Sequence, residues 1–246
     1  MTSGFRYFSI ASPNHGQRRA SIDMLVLHYT GMPHAEGAIA RLTDPRSEVS
    51  SHYVVDNGGA IFALVSEERR AWHAGQSSWH GQTDLNSRSI GIEIGHPGHD
   101  GGNPPFSDAQ IEAVISLCGD ILSRWQIAPA RVLAHSDIAP SRKQDPGERF
   151  PWERLHRAGI GHFVLPTPLV EGHGLAPGDE GPSVAALQGS LAAYGYAVEP
   201  TGSYGLETQQ VVAAFQRHFR PERVDGLADP STCATLRDLH EGLTPP

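Results

Sequence analysis

Short apolar runs separated by polar turns mark the first two thirds of the chain. Runs near residues 22–27, 53–56, 60–65, 89–94 and 131–134 have the length and the β-branched or aliphatic content of strands. Between the second and third, Asp56-Asn57-Gly58-Gly59 reads as a hairpin turn. From Ser107 to Trp125 the period changes: Ile111, Val114, Ile115, Cys118, Ile121, Leu122 and Trp125 recur at helical spacing and form one stripe. Ser107 followed by Gln110 predicts a capping box at its start. Strands with helices laid against them predict an α/β (α+β) domain with a mixed central sheet.

The pattern lapses between Gly159 and Asp179, where Pro166, Pro168 and Pro177 stand among several glycines. Such a stretch predicts a linker over 161–178, dividing a first domain at 1–160 from a second at 179–246. In the second, Gly202 to Thr208 and Gly226 to Thr232 repeat one motif: a glycine turn, then a threonine six positions on, opening a helical segment. Self-similarity of this kind predicts a small all-α domain.

With 246 residues the chain has ample material for a core. A formal charge of −8 argues against a nucleic-acid partner, which needs a basic surface to neutralise phosphates. No polybasic run or long apolar helix offers membrane attachment. Cys118 and Cys233 stand far apart and read as small buried hydrophobes rather than a disulfide or a metal pair. Met1 to Ile10 contain Arg6 and no apolar stretch of signal-peptide length, which implies a cytoplasmic protein unless a leader was removed.

Three residues carry the candidate chemistry. His28 ends the run Met24-Leu25-Val26-Leu27, and His135 ends Val132-Leu133-Ala134, so each is delivered to the rim of a sheet. Asp145 lies in the Pro-, Asp- and Ser-rich loop that follows His135. Two imidazoles and a carboxylate would leave the fourth position of a tetrahedral zinc open, as in hydrolytic sites. The plainer reading is chance: the chain has 14 histidines, and Asp145-Pro146-Gly147 is an ordinary turn sequence.

In Ile90-Gly91-Ile92-Glu93-Ile94-Gly95 the isoleucines alternate onto one face, leaving Glu93 between two glycines on the other. Something large can approach Glu93 there; the alternative is a solvated edge-strand glutamate. Lys143 precedes Asp145 by two residues, so an extended loop aims both side chains to one side; a surface lysine is the competing reading. Trp72 and His73, in a glycine- and serine-rich segment, suit a cleft for sugar rings and peptide stems, with Trp79 open between cleft and core. His52 suits a structural hydrogen bond, and His96 and His99 read as loop or surface residues.

Leu27-His28-Tyr29-Thr30, Ser51-His52-Tyr53, Ala71-Trp72-His73-Ala74-Gly75, Ser89-Ile90-Gly91-Ile92-Glu93-Ile94, His135-Ser136-Asp137-Ile138-Ala139-Pro140, Arg142-Lys143-Gln144-Asp145-Pro146-Gly147 and Phe150-Pro151-Trp152 occur in the order seen in a known family. Over residues 20 to 158 the chain resembles the second family of zinc-dependent N-acetylmuramoyl-L-alanine amidases, which shares its fold with phage lysozyme-type amidases and peptidoglycan recognition proteins. The resemblance implies Zn2+ on His28, His135 and Asp145, Glu93 as general acid/base and Lys143 as an oxyanion-stabilising cation. It further implies substrate contacts at Trp72, His73 and Tyr53, and peptidoglycan or muropeptide fragments as the partners. Leu187-Gln188, Leu191, Gly195-Tyr196, Gly202, Tyr204-Gly205, Thr208, Val212, Phe215-Gln216 and Asp225-Gly226 resemble the three-helix peptidoglycan-binding domain, with Leu187, Leu191, Val212 and Phe215 as its core. A docking or dimerisation surface is the alternative use of that domain.

The implied activity is hydrolysis of the amide between N-acetylmuramic acid, or its anhydro form, and L-alanine, favouring cytoplasmic recycling of anhydromuropeptides. A non-catalytic recognition protein on the same fold is the second reading, although such a protein is expected to lack a zinc ligand. The third is a zinc peptidase acting within the stem peptide.

Overall fold

Each apolar run read as a strand becomes one, because pairing satisfies its backbone while its side chains enter the core. The computed structural model describes residues 6–170 and 172–243, so 1–5, 171 and 244–246 of the expected N-terminal segment, linker and C-terminal domain lie outside the described residues. In chain order the elements are β1 (Tyr7–Ser9), β2 (His15–Gln17), β3 (Met24–Tyr29), α1 (Ala35–Thr43), β4 (Tyr53–Val55), β5 (Ile61–Ala63), β6 (Arg69–Ala71), α2 (Leu85–Arg88) and β7 (Ser89–Ile94). There follow α3 (Asp108–Arg124), β8 (Val132–Ala134), α4 (His135–Ile138), α5 (Trp152–Arg157), α6 (Pro182–Tyr194), α7 (Leu206–Phe219) and α8 (Pro230–Leu243).

A six-stranded sheet in the order β1-β5-β4-β7-β3-β8 is mixed: β4 and β5 are antiparallel, the other neighbours parallel. The Asp56 turn joins β4 to β5, with Asp56 Oδ1 accepting from Gly58 N and Ala60 N at 2.8 and 2.7 Å. At Gly59, φ is +82° and a Cβ would meet the Ala109 carbonyl at 2.6 Å, so only glycine fits. Strands β1, β2 and β6 carry little apolar pattern; β2 and β6 pair as a separate two-stranded ribbon.

Helix α3 covers one face of the sheet with Ile111, Val114, Cys118 and Ile121 fully buried. Ser107 caps it, accepting from Gln110 N at 3.2 Å, but the expected return bond is replaced. Gln110 instead turns inward and donates to Gly95 O at 2.8 Å and Asp56 O at 3.2 Å, occupying carbonyls at the ends of β7 and β4.

Among the described residues of 161–178 there is no helix or strand beyond an isolated bridge at Leu175. The three C-terminal helices use two buried glutamines to build the repeat. Gln188 accepts from Gly202 N and donates to Thr208 Oγ1, and Gln216 accepts from Gly226 N and donates to Thr232 Oγ1. The glycine-to-threonine spacing is the span one glutamine bridges. Leu187, Leu191, Val212 and Phe215 are buried as expected.

The core continues from the sheet into these helices as one cluster that includes Trp79, Trp152, Tyr194, Tyr196 and Phe219. Trp79, open in the sequence, is fully buried against Tyr196, and a Cβ on Gly195 would overlap its ring. Cys118 is buried as expected, but Cys233 lies on the exposed side of α8, and both thiols are free. Among the described residues no helix is long and apolar enough to cross a membrane.

Candidate metal centre and catalytic cleft

Strand register brings the chemistry together. Parallel partners share a face, and His28 on β3 is paired with Glu93 on β7. Leu133 on β8 is in register with Val26, so two residues further on His135 and His28 emerge on one face at the carboxyl ends of adjacent strands. The loop after α4 folds back, Ser136 N donating to Asp145 O at 3.0 Å, and carries the Asp145 carboxylate over both rings.

His28 Nδ1, His135 Nδ1 and Asp145 Oδ2 form a triangle with sides of 2.9, 2.9 and 3.1 Å. All three residues are almost wholly buried. His135 Nε2 lies 3.1 Å from the Ala74 carbonyl, which only accepts, so its proton belongs on Nε2 and its Nδ1 presents a lone pair to the triangle. Burial, then the neighbouring His135, depresses the His28 pKa to about 4, so at neutral pH this ring is uncharged as a ligand must be. A carboxylate facing two imidazole nitrogens in a buried pocket is the donor set of a divalent cation, and the residues present fit one.

A cleft of ≈ 360 Å³ opens beside the triangle, lined by Glu93, Lys143, Trp72, His73 and Tyr29 among others. Glu93 Oε2 is occluded and has no hydrogen-bond partner among the described residues. Burial, then the negative charge of Asp145, raises its pKa to about 8, while Lys143 pulls it down. An unpartnered carboxyl aimed into a cleft is poised for proton transfer rather than for structure.

The expected site residues therefore divide. His28, His135 and Asp145 converge, and Glu93, Lys143, Trp72 and His73 line the same cleft as His135 and Asp145. Tyr53 does not. It is paired with Ile92, which points away from Glu93, and its hydroxyl donates to Glu67 Oε1 at 2.7 Å beneath α3. Its expected role as a substrate contact is corrected to one in packing. His52 makes the structural bond anticipated for it, accepting from Gly91 N through Nδ1 at 2.9 Å. His96 is buried, not on the surface: Nε2 bonds Pro104 O at 2.6 Å and the ring stacks on Phe106. Tyr29 was missed, although it follows His28 directly; its hydroxyl contacts His99 Nδ1 at 3.0 Å, and His99 Nε2 in turn meets Glu148 Oε2 at 2.9 Å.

The family model described as N-acetylmuramoyl-L-alanine amidase matches residues 18–148. The N-acetylmuramoyl-L-alanine amidase AmiD of Escherichia coli is 42% identical over 240 residues, covering 89% of this chain and 83% of that protein. The chain belongs to the N-acetylmuramoyl-L-alanine amidase family. Residues 180–236 match a peptidoglycan binding domain model. The solved complex of Escherichia coli AmiD with anhydro-N-acetylmuramic acid-L-Ala-D-gamma-Glu-L-Lys superposes with a TM-score of 0.76 at 41% identity, covering 90% of both chains. Pseudomonas aeruginosa AmpDh3 in complex with anhydromuramic pentapeptide gives a TM-score of 0.73 at 31% identity, covering 100% of this chain and 98% of that one. This amidase family is zinc-dependent, and the buried His28, His135 and Asp145 triangle is where this member offers ligands.

Proposed function

We propose that this amidase hydrolyses the amide between the lactyl carbonyl of N-acetylmuramic acid, including its 1,6-anhydro form, and L-alanine. The carrying observation is the triangle of His28, His135 and Asp145 beside the unpartnered Glu93 carboxyl, with His135, Asp145 and Glu93 lining one cleft. Anhydromuramyl peptides are what the AmiD and AmpDh3 complexes hold. The retained His-His-Asp set and the free general-acid/base carboxyl favour turnover over recognition without chemistry.

In this reading His28, His135 and Asp145 hold Zn2+. Bound there, the cation supplies Lewis acidity, polarising a carbonyl and easing the deprotonation of water near neutral pH. Glu93 takes the proton of the attacking water as its oxygen adds to the amide carbonyl. Glu93 then returns that proton to the amide nitrogen, the C–N bond breaks, and the water's second proton passes from the new lactyl carboxylic acid to the amine, giving the lactyl carboxylate and the ammonium of L-alanine. Asp145 is one cause of the raised Glu93 pKa, and a cation balancing Asp145 removes that cause. The carboxyl then falls toward neutrality, where one group both accepts and donates effectively. Lys143 faces the cleft and stabilises the negative charge on the former carbonyl oxygen. Trp72 and His73 form the cleft wall that meets the sugar or stem peptide.

Mass spectrometry of muropeptides incubated with the full chain tests this reading. Intact stem peptide should be released with zinc present and not after chelation. Shortened stem peptides would instead assign the chain a peptidase activity.

A further inference from the structure

His73 lines the cleft, yet its two ring nitrogens face inward. Nδ1 lies 3.0 Å from His28 Nε2, the nitrogen of His28 that points away from the triangle. Nε2 lies 3.2 Å from Ser89 Oγ, and Ser89 Oγ lies 2.6 Å from the Leu85 carbonyl.

The protons along this chain can be placed from its far end. A carbonyl only accepts, so the single hydroxyl proton of Ser89 is committed to Leu85 O. Ser89 Oγ can then only accept from His73, which puts the His73 proton on Nε2 and a lone pair on Nδ1. That lone pair requires a proton on His28 Nε2, leaving His28 Nδ1 bare toward Asp145 and His135. The buried His73 ring in its neutral form has one acceptor nitrogen, and that nitrogen faces His28.

We propose that His73, oriented by Ser89, is a positioning residue that fixes the tautomer of His28 so that Nδ1 faces the metal. This rests on the reading of the triangle as a zinc site. Two further features serve the same end. The His73 ring lies over β7 where a Cβ on Gly91 would come within 2.5 Å of it, so glycine at 91 is the space that seats the ring. Asn86 Oδ1 accepts from both His73 N and Ala74 N, at 3.0 and 2.8 Å. One clipped dipeptide thus sets both ligands: the His73 side chain holds His28, and the Ala74 carbonyl holds His135.

Long-range proton–nitrogen correlation spectra of the 15N-labelled full chain read the histidine tautomers directly, and a chromophoric chelator in competition reads zinc affinity. The metal-free protein should show His28 protonated on Nε2. His73→Phe should mix or reverse that tautomer and weaken zinc binding by about 10- to 100-fold, the usual effect of removing an outer partner of a metal-bound imidazole. His73→Asn keeps an acceptor oxygen near the Nδ1 position and should restore most of the affinity. Ser89→Ala, which leaves both rings in place, should show the same tautomer mixing with a smaller loss, and it decides the matter if His73→Phe does not fold. An unchanged His28 tautomer and zinc affinity in the folded His73→Phe or Ser89→Ala protein would overturn the proposal while leaving the zinc site standing. A wild-type chain that binds no zinc would overturn the site itself.

Discussion

Two buried clusters in this molecule each set an aspartate against histidine and end differently. Around Asp137, which has no solvent exposure, Ala134 N, His218 Nδ1 and Tyr196 Oη donate at 2.8, 2.7 and 2.7 Å. Around Asp145, 4% exposed, His28 and His135 approach at 3.1 and 2.9 Å with their protons committed on the far sides of the rings. The first carboxylate is saturated with donors and needs nothing more. The second shares its space with two further lone pairs and lacks positive charge. Burial does not separate an aspartate–histidine lock from a metal site; the location of the imidazole protons does. The two clusters are also joined, because Asp137 caps α4, the short helix whose first residue is His135. His218 and Tyr196 come from the C-terminal helices, which are thereby fastened to the turn carrying His135.

Removing each carboxylate is the strongest test of the contrast. Asp145→Ala should weaken zinc binding by more than about a hundredfold, beyond what loss of an outer partner does, and abolish stem-peptide release. Asp137→Ala orphans three buried donors, each worth about 1–3 kcal/mol, and should lower thermal stability sharply while metal analysis still finds zinc. An Asp137→Ala protein that kept its melting temperature but lost zinc would erase the distinction.

Glu93 sharpens it from the side of chemistry. Glu93→Gln should bind zinc and substrate and lose about 10²- to 10⁴-fold in turnover, the range of general acid–base catalysis. In the metal-free protein the folded pKa is raised from 4.5 to about 8, by burial first and Asp145 second, so the folded state holds a proton that the unfolded state has released. That contribution to stability is fully present below pH about 4.5 and is lost as pH rises through about 8. Melting temperatures in chelator should therefore fall more steeply over that window for wild type than for Glu93→Gln. Parallel curves would disprove the buried-acid assignment. Lys143→Ala should act on the oxyanion instead, lowering kcat by roughly a hundredfold, about 3 kcal/mol, with KM nearly unchanged.

Much of the centre was legible because a polar residue that closes an apolar run emerges at a sheet rim, as His28 and His135 do, and because alternation along Ile90 to Gly95 sets Glu93 on the face of two glycines. What the period cannot show is which strands become neighbours. The resemblance places Tyr53 in the cleft, but non-local pairing with β7 sets it opposite Ile92 and turns it under α3. His73 had no apolar run to orient it, and its part follows only from Ser89 and His28 lying on either side. The Asp137 lock was hidden for the same reason, since Tyr196 and His218 stand 59 and 81 residues away along the chain.

The smallest expected effect compares two buried phenols. Tyr196 donates to Asp137 Oδ1 and Tyr53 to Glu67 Oε1, both at 2.7 Å. Replacing either by Phe keeps the ring and removes one hydrogen bond, but the acceptors left behind differ. Glu67 Oε1 still receives Arg124 at 2.7 Å, and Glu67 Oε2 receives Trp125 Nε1 at 2.6 Å, so Tyr53→Phe should cost about 0.5–1 kcal/mol. Among the described residues the completely buried Asp137 has no other donor to Oδ1, so Tyr196→Phe should cost about 1–3 kcal/mol. Neither change should alter KM, since Tyr53 lies on the far face of the sheet and Tyr196 within the domain junction. Chemical denaturation resolves the stabilities and muropeptide kinetics the rest. A raised KM in Tyr53→Phe would return Tyr53 to the cleft, and equal stability losses would mean that Asp137 depends on its donors no more than Glu67 does, whose side chain is 11% exposed.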